Sequence, residues 1–346
     1  MVFTNAYQHT NLVLVASLTT VVTVLGSYIY RRFKRPKIPK EWRPVAKVKK
    51  LYIYPMKSGR RLVVNRAECS KEGLMESEKF DKSFRLRDRC FVVYQEGTLE
   101  CKTSRHYNKL VLVGVVAYGI NSVTFHAPFM ENLNMRVPSR RDAREVILRF
   151  YKNEPVNILD CGNEAAKWIS YCILDKHYGL RLGYNDGAHK RIHLPEIFKD
   201  EEDYYQRGIS SDSAGLNAFL SAIMLMTQTS VDDVNGKMKN PPVPVESYRP
   251  SILVEDKNLQ PFEEDNWEWI RIGNVVMKNV IECLRCTTTT IDMETGFERI
   301  DNEPLETMKK YRLSKGPAKD PVIGIMLEVH RTGDIAVGDI VYVGKL

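Results

Sequence analysis

The chain has 346 residues, 43% of them hydrophobic, with 51 Lys and Arg against 43 Asp and Glu and a net charge of +8. That length gives room for one large domain or two ordinary ones. The charge would suggest nucleic-acid binding, but residues 31–50 (RRFKRPKIPKEWRPVAKVKK) hold ten basic residues and one acidic residue, leaving a near-neutral body of 41 basic and 42 acidic residues, which sets that class aside.

Residues 1–30 contain no Lys, Arg, Asp or Glu. Within them, residues 12–30 (LVLVASLTTVVTVLGSYIY) form an apolar run of 19 residues, long enough to cross a ~30 Å hydrocarbon core as a helix. The basic residues follow this run instead of preceding it, which predicts an uncleaved signal anchor. The positive-inside rule then keeps Arg31, Arg32, Lys34 and Arg35, and the body behind them, on the cytosolic side. The expected order is a tail (1–11), an anchor (12–30), a basic linker (31–47) and then the body. Seven cysteines without framework spacing, facing the cytosol, predict free thiols. The anchor suits the mitochondrial outer membrane and also the endoplasmic reticulum.

From residue 45 the pattern is that of short strands. Alternating, β-branched and aromatic segments predict strands over 50–56, 62–67, 90–94, 109–118, 122–126 and 145–151. Ala165, Trp168, Ile169, Cys172 and Ile173 recur at helical spacing and predict a helix over 162–178, stopped by Gly179. Residues 185–215, rich in Asp, Gly, Ser and His, read as long loops. A strand follows at 222–226, then a short helix over 230–235 capped by Thr229 or Ser230. Strands resume at 251–254, 269–272, 275–280, 322–329 and 335–343. There is no repeat, phosphate loop or dinucleotide fingerprint. Many short strands with few helices predict an antiparallel, barrel-like α+β body.

The one cysteine pair with metal-ligand spacing is Cys283-Leu284-Arg285-Cys286. Half a zinc site would need a second ligand pair, and the remaining cysteines (Cys69, Cys90, Cys101, Cys161, Cys172) stand singly. On residue type alone, buried structural cysteines are the common alternative.

Several segments together resemble the mitochondrial amidoxime-reducing components, proteins built on a MOSC domain. They are Tyr52-Ile53-Tyr54-Pro55-Met56-Lys57-Ser58, Leu86-Arg87-Asp88-Arg89, Tyr248-Arg249-Pro250-Ser251-Ile252, Phe262-Glu263-Glu264-Asp265-Asn266-Trp267, the Cys-Leu-Arg-Cys motif, and Glu303-Pro304-Leu305-Glu306-Thr307 with Tyr311-Arg312. The resemblance implies a MOSC N-terminal β-barrel domain over 48–185 and an antiparallel β-barrel-like MOSC domain over 186–346, behind one transmembrane helix. It implies a molybdenum cofactor, a molybdopterin ligated by Cys286, with Cys283 as a neighbour. Lys57, Ser58, Arg89, Ser221, Arg249, Ser251 and Arg285 would contact the cofactor, whose anionic phosphate suits planar Arg donors and a Lys point charge.

The implied activity is reduction of N-hydroxylated compounds (amidoximes, hydroxylamines, N-oxides). With no flavin or haem motif in the chain, the implied electron source is cytochrome b5 and its NADH-dependent reductase. A cofactor carrier is the alternative, since MOSC domains also end the molybdenum cofactor sulfurases, although the pyridoxal-phosphate domain of those proteins has no room here. Two departures stand out: Phe219-Leu220 where relatives carry a polar or acidic pair, and Gly59 where a Cys is usual, the latter with no expected consequence.

Overall fold

The strand Arg43–Ile53 shows how the barrel is specified. Ala46 and Val48 point into one core, and after a register shift between Val48 and Lys50 so do Leu51 and Ile53. The bulge moves the two-residue alternation by one position. Tyr52 and Tyr54 therefore face the other way, into a second buried cluster with Met224, Leu253 and Cys283. A computed structural model describes residues 37–346 apart from 79–80, 206–207, 240 and 318.

This strand belongs to an eight-stranded sheet with the order Ile252–Glu255, Ile223–Thr227, Val322–Arg331, Val275–Leu284, Trp269–Ile272, Ile340–Gly344, Arg43–Ile53, Leu62–Val64. A further pairing of Arg43–Ile53 with Ile252–Glu255 closes the sheet, so only Leu62–Val64 hangs outside the ring. Ile252, Ile270, Met277, Ile325 and Val341 fill the interior; burying each such side chain contributes ~1.5–3 kcal/mol. A five-stranded sheet in the order Glu145–Arg149, Pro155–Asp160, Leu180–Tyr184, Phe91–Gln95, Cys101–Lys102 carries the helix Gly162–Leu174 against it. Two three-stranded sheets complete the body.

The barrel-like α+β expectation holds, with one parallel pair, Ile223–Thr227 beside Ile252–Glu255. A parallel pair needs a crossover, and the helix Gln228–Lys237 supplies it, capped by Thr227, whose Oγ1 accepts from the Ser230 N–H at 3.2 Å. The cap thus lies before both expected positions, Thr229 and Ser230. Other differences have local causes. The expected strand over 109–118 opens as a 3-10 turn, Asn108–Leu112, because Leu110 and Val111 turn inward to bury; the strand starts at Gly114. The helix from Gly162 ends at Leu174, where Asp175 takes a left-handed conformation (φ 56°). Residues 185–215 contain the short helices Leu194–Ile197 and Lys199–Tyr205, which bury Leu194, Ile197 and Phe198.

The expected tail, the anchor at 12–30 and the linker up to residue 36 lie outside the described residues. Among the described residues no helix is long and apolar enough to cross a membrane.

Two of the sequence motifs are structural. Glu264 is buried and accepts from Thr227 and Ser230 hydroxyls at 2.9–3.0 Å, and Arg312 bonds Asp265 at 2.8 Å, joining the two motifs.

Candidate functional site

A cavity of about 600 Å³ opens beside the barrel, and Lys57, Ser58, Arg89, Ser221, Arg249, Arg285 and Cys286 all line it. Lys57 and Ser58 follow the first strand, Arg89 precedes Phe91–Gln95, and Arg249 follows the turn Val245–Tyr248. Three of these residues hold left-handed backbones: Ser58 (φ 65°), Arg89 (φ 51°) and Arg249 (φ 53°). Each such non-glycine conformation costs about 1–3 kcal/mol, and main-chain bonds enforce it. The Arg89 N–H donates to Tyr54 O at 2.6 Å and the Arg249 N–H to Glu246 O at 3.0 Å.

The cations are anchored with donors to spare. Lys57 Nζ donates to Asn217 O at 2.7 Å, and Asn217 Nδ2 donates to Arg89 O at 2.8 Å, so one buried Asn ties both loops. Arg89 pairs with buried Asp88, whose other oxygen accepts from the Tyr54 N–H at 2.9 Å. Arg249 Nη1 donates to Gly59 O at 2.8 Å, while its Nη2 is buried with no partner. The Tyr54 ring is approached by two guanidiniums, 4.2 Å from Arg249 and 5.3 Å from Arg89. Burial, with Arg191, Arg89 and Arg105 nearby, pulls the Lys57 ammonium down to about 8. Burial and Arg89 likewise lower Arg249 to about 10. Crowded, partly desolvated cations with a free N–H call for an anion.

Gly59 is required by close packing, although the sequence predicts no consequence there. A Cβ there would stand 2.9 Å from both Met56 Cβ and Val113 O, so glycine is what lets its carbonyl reach Arg249.

On the opposite side, Cys286 is exposed and Cys283 is buried. Burial raises the Cys283 thiol above its usual range. Arg285 Nη1 donates to Cys283 Sγ at 3.2 Å and Nη2 to Tyr248 O at 2.6 Å, leaving a buried Nε without a partner. The Cys286 thiol donates to Thr288 Oγ1 at 3.5 Å. The Thr288 and Ser104 hydroxyls share a bond of 2.9 Å, and the Ser104 N–H donates to Ser58 Oγ at 3.0 Å. This chain links the two sides of the cavity.

Ser251 does not line the cavity: it is buried, its N–H donates to Met224 O at 2.8 Å and its Oγ accepts from the Met224 N–H at 3.3 Å. Ser221 reaches the wall, but its hydroxyl is taken up by Leu327 O at 2.5 Å. Tyr54, Ser104, Asn217 and Thr288 were missed. Tyr54 lies inside the Tyr52–Ser58 motif and Thr288 lies two residues after Cys286; Ser104 and Asn217 carry no local signal, because the fold brings them to Thr288 and Arg89 from far along the chain. Among the described residues no group of three or more His, Cys, Asp or Glu side chains could hold a metal ion.

The description "MOSC N-terminal beta barrel domain" matches residues 45–176, and "MOSC domain" matches residues 211–342. Mitochondrial amidoxime-reducing component 1 of Danio rerio is 34% identical over 345 residues, covering 98% of this chain and 97% of that protein. Mitochondrial amidoxime reducing component 2 of Homo sapiens is 32% identical over 338 residues, covering 95% and 92%. Mitochondrial amidoxime-reducing component 1 of Homo sapiens is 29% identical, again over 95% and 92%. Motifs, barrel and full-length similarity agree: the chain belongs to the mitochondrial amidoxime-reducing component family.

Proposed function

We propose that the chain is a molybdenum-dependent oxidoreductase that reduces N-hydroxylated compounds, the amidoximes named for its relatives among them. The observation that carries this reading is the convergence on one cavity of an exposed thiol, Cys286, with Lys57, Arg89, Arg249 and Arg285, two of whose buried nitrogens lack partners. Such a donor set fits an anionic, sulfur-rich cofactor: a thiolate is a soft ligand for molybdenum, and the guanidiniums and ammonium suit a phosphate. When bound, the cofactor supplies a two-electron centre. Cys286 would be its protein ligand. Arg249 and Arg89, braced by Tyr54, and Lys57, braced by Asn217, would hold its anionic end, with Arg285 keeping Cys283 and Tyr248 in place beside it. The reduction breaks the substrate N–O bond, takes up two electrons and two protons, and releases the reduced nitrogen compound and water.

The electrons come from outside the chain, from NADH through NADH-cytochrome b5 reductase and cytochrome b5. An anchor over residues 12–30 in the mitochondrial outer membrane, with the body facing the cytosol, would raise the effective concentration of such membrane-bound partners. The body would divide into an N-terminal barrel domain (48–185) and a MOSC domain (186–346), both contributing to the cavity. Purified protein should contain about one molybdenum per chain and reduce benzamidoxime with the two partners. Cys286→Ala should abolish turnover, and full activity in that variant would falsify the ligand assignment.

A further inference from the structure

Next to the cationic floor the cavity has an aromatic wall that the proposed chemistry does not use. Tyr151, Phe198 and Phe219 all line the cavity. Phe219 packs 5.1 Å from Tyr151 and 5.2 Å from Phe198, centroid to centroid. Phe198 is buried, but Tyr151 and Phe219 keep 45% and 38% of their surface exposed. Two half-exposed rings in a concave site are unusual unless they are held there or covered by something.

They are held there. Arg191 and Glu154 form a buried pair at 4% and 1% side-chain exposure. The same guanidinium donates to Gly215 O at 3.1 Å, Ala218 O at 2.7 Å and Phe219 O at 3.4 Å. Lys152 Nζ donates to Ile197 O at 2.8 Å, fixing the segment that carries Phe198. Three segments distant in sequence are thus locked with their rings together, so the wall cannot collapse to hide its faces. Phe150 joins wall to floor: its ring lies 5.3 Å from Lys57 Nζ and 5.7 Å from the Arg191 guanidinium.

We propose that Tyr151 and Phe219, backed by Phe198, form an aryl-binding subsite that selects N-hydroxylated substrates bearing a flat ring over those bearing a short alkyl group. The inference rests on the reductase reading for its reacting head group and on the wall alone for its tail. A ring against Phe219 and Tyr151 gains offset or edge-to-face contacts and removes both exposed faces from water, whereas a methyl group covers neither. Since the wall is already locked, little ordering is needed on binding.

The test compares benzamidoxime with acetamidoxime as substrates of the holoenzyme, and benzamide with acetamide as unreactive probes whose binding is followed by ligand-observed NMR. The ratio of kcat/KM for aryl over alkyl substrate should fall roughly three- to tenfold in each of Phe219→Leu and Tyr151→Leu, about the size of one aromatic contact. Benzamide affinity should fall by a similar factor. A ratio and a benzamide affinity that both survive the two substitutions would overturn the subsite. If the wild-type holoenzyme reduces neither amidoxime, the reductase reading falls, and the benzamide arm still decides the wall: selective, Phe219-dependent binding supports it, and equal binding of the two amides overturns it.

Discussion

The floor and the wall of the cavity are held by opposite means. The floor consists of cations with incomplete pairing, set on left-handed backbones and tied to main-chain carbonyls. The wall consists of apolar rings whose backbone is tied to a complete buried ion pair. The floor is therefore unsatisfied until an anion arrives, while the wall is finished as it stands. Stability should reside in the wall's supports and binding in the floor.

The strongest way to break this contrast is at the ion pair. Arg191→Met or Glu154→Ala leaves one buried charge alone and should destabilise the chain by about 3–5 kcal/mol in urea unfolding. Next comes Arg249→Met, which removes a charge-assisted contact of ~1.5–3 kcal/mol, roughly ten- to hundredfold in affinity, from an anion held on the floor. It should lower molybdenum content per chain without lowering the urea midpoint; equal loss of stability in the two sets would erase the distinction. Gly59→Ala falls between them. It forces Met56 or Val113 to move, a strain of about 1–3 kcal/mol, and by shifting the Gly59 carbonyl it should lower both midpoint and molybdenum content.

The remaining test is one of pH. The folded chain holds the Lys57 proton less tightly than the unfolded chain, about 8 against 10.5. Stability from this group is therefore lowest below pH 8, rises as pH climbs through that window, and is fully regained above it. Inorganic phosphate binding to cofactor-free protein should run the other way, weakening as pH rises from 7 to 9. Lys57→Met should flatten both profiles; a phosphate profile that keeps its slope in this variant would assign the proton elsewhere.

The same contrast marks what was legible in the sequence. The floor could be anticipated, because Lys57, Arg89, Arg249 and Cys286 sit in the short motifs that carry the family resemblance. Ser251 belonged to such a motif too, yet its hydroxyl faces the main chain of Met224. The wall was illegible: Tyr151, Phe198 and Phe219 lie on three segments with no common period, and the Phe219-Leu220 departure was the only trace of it. Strands with clean alternation, such as Ser122–His126, or with a near-continuous apolar run, such as Trp269–Ile272 and Val322–Arg331, could be read directly. Those interrupted by turn-forming residues were missed. Pro155 opens Pro155–Asp160, where a strand tolerates proline at its first position. Gly183 sits within Leu180–Tyr184, where a Cβ would come within 2.7 Å of Ile158 Cδ1.

The closure of the barrel has a consequence for how the protein is made. Arg43–Ile53, nearly the first segment of the body to leave the ribosome, finds its two ring partners only in Ile252–Glu255 and Ile340–Gly344. At ~5–20 residues per second, translation of the intervening chain leaves that strand waiting for roughly 15–60 s. Its Leu51, Tyr52 and Ile53 lie at the end that pairs with Ile252–Glu255 and so lack native neighbours on the ring for about 10–40 s of that wait, and such distant pairing is intrinsically slow even once both partners exist. This strand is the segment for which a nascent-chain chaperone has most to do, and the cavity, whose Lys57 and Ser58 hang from its end, is among the last parts of the molecule to come into being.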